Sequence, residues 1–173
     1  MLEGNRRRGN FTCEAQQFPQ QYVTVLNSRS HWPPDVAGIQ MRYDLNQLHK
    51  LCEEAGMPSS VEGQCLEVDL GQGAVLCFQN AEQEDDCLIG FAGMPWHAHD
   101  DLMFSDSRGY YTEIRYLDLI KNLEEGRVLI CEQHVAEHIA DRWLIHSEFN
   151  DEFRCLELGE RIVVRRATTH PAK

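Results

Sequence analysis

Apolar residues in this chain arrive in short alternating runs bounded by turn residues, and one stretch alone keeps a clear helical period. In Cys65–Leu70, Leu66, Val68 and Leu70 alternate with Glu67 and Asp69, the period of a strand with one buried face. Gly71-Gln72-Gly73 then leads into Ala74–Gln79, so the two runs read as a β-hairpin. Further strands are expected at Tyr22–Leu26, Cys87–Ala92, Leu102–Phe104, Tyr110–Arg115, Arg127–Glu132 and Glu160–Arg166. The turn-like Ser105–Gly109 makes a second hairpin of Leu102–Phe104 and Tyr110–Arg115. Gly93–Asp101 reads as irregular.

The exception begins at Asp44. Leu45, Leu48, Leu51, Cys52 and Ala55 recur at spacings of three and four, and Gly56 and Pro58 supply stop signals, which predicts a helix lying on the sheet. Tyr116–Leu123 reads as a shorter helix ending at Gly126. Gln133–His146 satisfies both patterns, because Val135, Ile139 and Trp143 fit a helix while Asp141–His146 fits a strand; a hairpin is the favoured reading. The sum is an α+β fold, mainly antiparallel sheet with one principal helix and one short helix packed on it.

A chain of 173 residues suits one core. That core is placed at residues 21–167, between a flexible polar arm at 1–20 and a flexible tail at 168–173. The longest apolar runs, Val128–Cys131 and Cys87–Ala92 among them, fall far short of the roughly 18–20 residues that span a bilayer, so no membrane segment is expected. Arg6, Arg7 and Arg8 are followed by the polar Gly9–Gln17, where an export signal would carry an apolar core. The seven cysteines are odd in number, lack Cys-x-x-Cys spacing and mostly sit within apolar segments, which points to a reducing cytoplasm.

The formal charge of −12 deprives nucleic-acid binding of its main driving force and attracts basic proteins instead. Acids cluster in Glu82-Gln83-Glu84-Asp85-Asp86, and again at Asp100-Asp101, Glu124-Glu125 and Glu148–Glu152. A partner-binding surface is therefore expected at Glu82, Glu84, Asp85 and Asp86, with Trp96 as an aromatic anchor. Solvated faces that merely keep a protein soluble share that composition.

Histidines carry the second line of chemistry. In Trp96-His97-Ala98-His99-Asp100-Asp101 the imidazoles stand two residues apart, and on an extended backbone they point the same way and can share one cation. A catalytic site of this kind needs about three protein ligands and an open position. His97, His99, Asp101 and His146 make up the candidate set. The competing reading is a polar loop or sheet edge in which the imidazoles bond backbone carbonyls and Trp96 packs as a lid. His134-Val135-Ala136-Glu137-His138 spells the inverted zinc-protease motif, which requires a helix. There is no Gly-x-Ser-x-Gly elbow and no Gly-Lys-Ser/Thr phosphate loop.

Two resemblances follow from these residues. His97-Ala98-His99-Asp100-Asp101 resembles part of the first cupin motif, and His146-Ser147-Glu148-Phe149-Asn150 resembles the His-x-x-x-Asn of its second, although no glutamate stands near Phe104 and no Pro-x-Gly precedes His146. The stretch from Gly90-Phe91-Ala92 through Arg142-Trp143-Leu144-Ile145-His146 to Arg161-Ile162-Val163-Val164-Arg165-Arg166 resembles small uncharacterised bacterial proteins of toxin–immunity loci. This second resemblance implies a stoichiometric binder without a cofactor, an immunity-type inhibitor of a basic toxin. The alternatives are a metal-dependent enzyme or sensor holding a divalent ion at His97 and His99, and a structural module whose strand edges pair with a second copy.

Overall fold

A computed structural model describes residues 42–80, 87–149 and 156–169. These residues belong to one compact unit that begins at Gln40. The strand expected at Tyr22–Leu26, the arm at 1–20 and most of the tail lie outside the described residues. So do the expected partner-binding acids Glu82, Glu84, Asp85 and Asp86.

Helix α1 (Leu45–Glu54) forms where its period and caps direct it. The Asp44 side chain accepts the Gln47 N–H, and Leu45, Leu48 and Cys52 turn inward. At its other end the Gly56 N–H donates to the Glu53 carbonyl and the Met57 N–H to the Cys52 carbonyl. This double closure requires a left-handed residue, supplied by Gly56 at φ 67°.

Five strands follow in an antiparallel sheet whose spatial order is the chain order: β1 (Ser59–Glu62), β2 (Cys65–Asp69), β3 (Val75–Asn80), β4 (Cys87–Phe91) and β5 (His97–His99). Leu66, Val68, Leu76, Phe78, Ile89 and Phe91 point into the core, and α1 packs on the sheet at β1 and β2. The alternate residues of β2, Cys65, Glu67 and Asp69, therefore face outward. Strand β1 was not expected, because Val61 is its one apolar residue and it is largely exposed. Strand β5 lies inside the segment read as irregular.

A two-stranded hairpin, β6 (Leu102–Ser105) and β7 (Tyr111–Ile114), leads into α2 (Tyr116–Glu124), whose Leu119, Ile120 and Leu123 join the same core. A three-stranded sheet follows, of β8 (Val128–Val135), β9 (His138–His146) and β10 (Glu160–Arg165), ordered β10-β8-β9. All strand pairs among the described residues are antiparallel, so the fold is α+β as the patterning predicts. No described helix is long and apolar enough to cross a membrane.

The ambiguous segment resolves as the β8–β9 hairpin, with Val135 opposite His138 across Ala136 and Glu137. Ala136 takes φ 52°, a left-handed value outside any α-helix. His134 and His138 thus flank a tight turn, and the zinc-protease geometry, which needs both on one helical face, does not form.

The last sheet is fastened to the β2–β3 turn by a buried polar network that sequence reading missed. Glu132 Oε1 accepts from Arg142 Nε at 2.9 Å and from Arg165 Nε at 3.1 Å. Its other oxygen lies 3.3 Å from His134 Nε2. Each guanidinium reaches on to the turn: Arg142 Nη1 donates to the Gly73 carbonyl, and Arg165 Nη1 and Nη2 to those of Leu70 and Gly71. Burial alone would push the Glu132 carboxyl up, but the hydrogen bonds from Arg142 and Arg165 outweigh it and hold the group below its ordinary value. Thr168 completes the joint, since its N–H donates to the Leu70 carbonyl and its side chain fills the space where a Cβ on Gly71 would stand.

Candidate functional site

Strand β5 exists because Leu88, Ile89 and Gly90 of β4 pair with His99, Ala98 and His97. Extended backbone puts both histidines on one face, as the spacing predicts, and their rings stand edge to face with centroids 5.4 Å apart. Both are exposed. His97 Nδ1 lies 3.1 Å from the Pro95 carbonyl, the kind of backbone contact that the sheet-edge reading anticipates.

The other two members of the expected ligand set are engaged elsewhere. Asp101 Oδ1 accepts the Tyr116 N–H at 2.7 Å, at the start of α2. His146 is buried, its ring packed beside Phe104 and Phe149, and its Nδ1 accepts from the Glu148 and Phe149 N–H groups. Burial is the main force lowering its pKa, with the Arg127 charge acting in the same direction and Glu148 opposing. A neutral imidazole suits that position, because an Nδ1 that accepts two N–H bonds has no room for a proton. Trp96 sits half-buried against Phe91 and packs on both core clusters, while its backbone N–H donates to Asp141 Oδ1.

One other group brings ligand atoms together. Cys65 Sγ, Cys77 Sγ and a Glu67 carboxylate oxygen all lie within 4.8 Å of one another, the single set of three such donors among the described residues. Glu67 is directly opposite Cys77 across β2 and β3, and Cys65 lies two residues along β2 on the same face. Partial burial raises the Cys77 thiol to about 11, with the adjacent Cys65 thiol and Glu67 carboxylate adding to the effect. The Cys65 thiol is raised by burial first and by Glu67 next. A shallow depression of about 260 Å³, lined by Pro58, Ser59, Ser60, Glu67, Asp69 and Val75, opens beside this group. The signal was present in the sequence: the alternation of β2 and the length of the Gly71–Gly73 turn together set the register that opposes Glu67 to Cys77.

Among the described residues, the most exposed aromatic surface lies on the β6–β7 hairpin. Its inner face buries Leu102, Phe104 and Ile114. Its outer side leaves Met103 62% and Tyr111 68% exposed, and Tyr110, at the turn end just before β7, is 63% exposed. Glu113 stands opposite Met103, and the Arg108 guanidinium lies 5.2 Å from the centre of the Tyr110 ring. Asp106 accepts from the Arg108 and Tyr110 N–H groups and from the Arg108 guanidinium, which fixes the turn that presents both tyrosines.

The sequence matches no protein-family model, no curated protein and no solved structure.

Proposed function

We propose that this chain is a stoichiometric protein-binding domain that docks a cationic partner through the outer side of the β6–β7 hairpin. The observation that carries this reading is the joint exposure of Met103, Tyr110 and Tyr111 on a hairpin whose other face is anchored in the core. Tyrosine and methionine are enriched where proteins meet, tyrosine because it offers a large contact area at modest entropic cost and methionine because its flexible thioether adapts to the partner. The hairpin is rigid where an interface needs it to be, because Leu102, Phe104 and Ile114 hold it from behind and Asp106 fixes its turn.

Charge supplies the choice of partner. With 28 acidic against 16 basic residues, the chain attracts basic proteins and repels acidic ones, which raises encounter rates and suppresses wrong pairings. An immunity-type inhibitor of a basic toxin, as the resemblance of the carboxy-terminal half implies, is a binder of this description.

The test is to express the tagged chain in its source cells, identify the protein that co-purifies in stoichiometric amount, and measure Kd as salt is raised. The expected outcome is a basic partner whose affinity falls with salt and falls at least about tenfold when Tyr110 and Tyr111 are both changed to Ser. Acidic or absent partners, or an affinity indifferent to both salt and the tyrosines, would overturn the reading.

A further inference from the structure

Among the described residues, Cys65, Glu67 and Cys77 differ from the core cysteines in how their donor atoms are directed. Cys52 and Cys87 are sealed in the core, where the Cys87 thiol donates to Asn80 Oδ1. Cys65 and Cys77 stand on the outward face of the five-stranded sheet, half-buried, with an exposed carboxylate between them in register. We propose that Cys65, Glu67 and Cys77 form a binding site for a thiophilic divalent cation of the zinc class, with one coordination position open to solvent.

The donor set selects the cation. Two sulfurs and one carboxylate oxygen suit zinc and its softer neighbours, whereas magnesium and calcium take all-oxygen shells. A tetrahedral zinc ion, with Zn–S near 2.3 Å and Zn–O near 2.1 Å, holds its donors roughly 3.5–3.8 Å apart. The observed donors are already within 4.8 Å of one another, so small side-chain rotations close the site around an ion. The backbone need not move, because the register between β2 and β3 has already set the spacing.

Electrostatics and access agree. Glu62 lies opposite Cys65 and, like Glu67, acts on its thiol, so the cluster sits in a field that favours a positive ion. The two thiols release their protons to solvent as the metal enters. The depression that Glu67 lines gives water and small ligands access to the carboxylate side of the cluster. On the same rung of the sheet, Cys77 opposes Gly90, which in turn opposes His97. Gly90 brings no side chain between the two, and a Cβ there would approach the Trp96 carbonyl to 3.1 Å and the His97 Cβ to 3.4 Å. The rung therefore stays open on the side of Cys77 nearest the histidine strand.

This inference does not rest on the binding role of the β6–β7 hairpin. It is tested on the full chain, kept reduced with a phosphine and stripped of metal with chelator, then titrated with Zn²⁺ alone and with Co²⁺ alone. The expected result is one equivalent bound, with near-ultraviolet absorption from thiolate-to-cobalt charge transfer. Cys65→Ser and Cys77→Ser should each weaken Zn²⁺ by more than the roughly 100-fold that loss of an outer-shell partner can cost, and Glu67→Gln by about tenfold or more. His97→Ala combined with His99→Ala should leave the affinity within threefold of the parent chain. Circular dichroism and melting of each variant separate lost binding from lost folding. Should a cysteine variant unfold, the exposed Glu67→Gln carries the test, since its side chain is outside the core. Undiminished binding in the folded variants, or no Zn²⁺ bound by the parent chain, overturns the assignment.

Discussion

Two polar clusters in this domain stand in opposite relations to solvent. Around Glu132, carboxylate, guanidinium groups and turn carbonyls close on one another, so each strong donor and acceptor is matched within the protein. Around Glu67, two thiols and a carboxylate converge on the outer face of a sheet with a depression beside them. The first arrangement spends its polar groups on holding two sheets together. The second leaves them directed at a ligand. Composition does not distinguish the two, since both put a glutamate mid-strand among apolar neighbours. Which face of the strand it occupies, and what opposes it, decides.

The largest effect that checks this contrast is on folding. Glu132→Ala leaves the Arg142 and Arg165 guanidiniums buried beside each other, and unfolding in urea should show a loss of about 3–5 kcal/mol. Cys65→Ser and Cys77→Ser, measured without metal, should change stability by under about 1 kcal/mol. Equal costs at the two clusters would break the comparison. Acid should act through the same glutamate. Its folded pKa is depressed, so its contribution is present above the ordinary value of 4.5 and is lost as pH falls through the folded value. Melting temperature recorded against pH should therefore drop more steeply below 4.5 in the parent chain than in Glu132→Gln.

A smaller effect separates two glycines of one turn. Gly71 and Gly73 have φ 80° and 71°, and at either an alanine pays about 1–2 kcal/mol for a left-handed backbone. A Cβ on Gly73 meets open space, whereas one on Gly71 would meet Thr168 Oγ1 and Cβ. Gly71→Ala should consequently cost about 1–3 kcal/mol more than Gly73→Ala in denaturant unfolding. Similar costs would mean that Thr168 yields, and that the joint is looser than its hydrogen bonds imply.

The smallest effect is at His146. Its folded pKa lies below the ordinary 6.5, so the neutral form is the one that folding favours. Stability should be complete above about pH 6.5 and decline as pH falls from there towards the folded value. His146→Phe should flatten the melting profile across that window. An unchanged profile would place the titration elsewhere.

Much of this fold was legible because local physics governs it. The α1 period, its Asp44 cap and its Gly56 stop fall within 13 consecutive residues, and the β2–β3 and β6–β7 hairpins within 16 and 13. Strand β5 was not, since three residues with a single alanine between histidines show no burial pattern, and β4 alone makes them a strand. The candidate ligands divided along the same line. His97 and His99 are neighbours by backbone geometry, and their rings do come together. Asp101 accepts an N–H 15 residues on, at the start of α2, and His146 accepts two just beyond itself in a buried position, engagements that the His-x-His spacing does not reveal. The Glu132 network was invisible for that reason too: Arg142 and Arg165 reach it from two other strands.

The clasp between Arg165 and the Leu70 carbonyl also sets a schedule for the domain's birth. Its partners are 95 residues apart in the chain. At ordinary rates of synthesis a ribosome needs roughly 5–20 s to make that length. During this interval the β2–β3 turn has been made and must hold its carbonyls on water, while the guanidinium that will replace that water does not yet exist. The turn is thus a waiting receptor, completed only once Arg165 and Thr168 have been added.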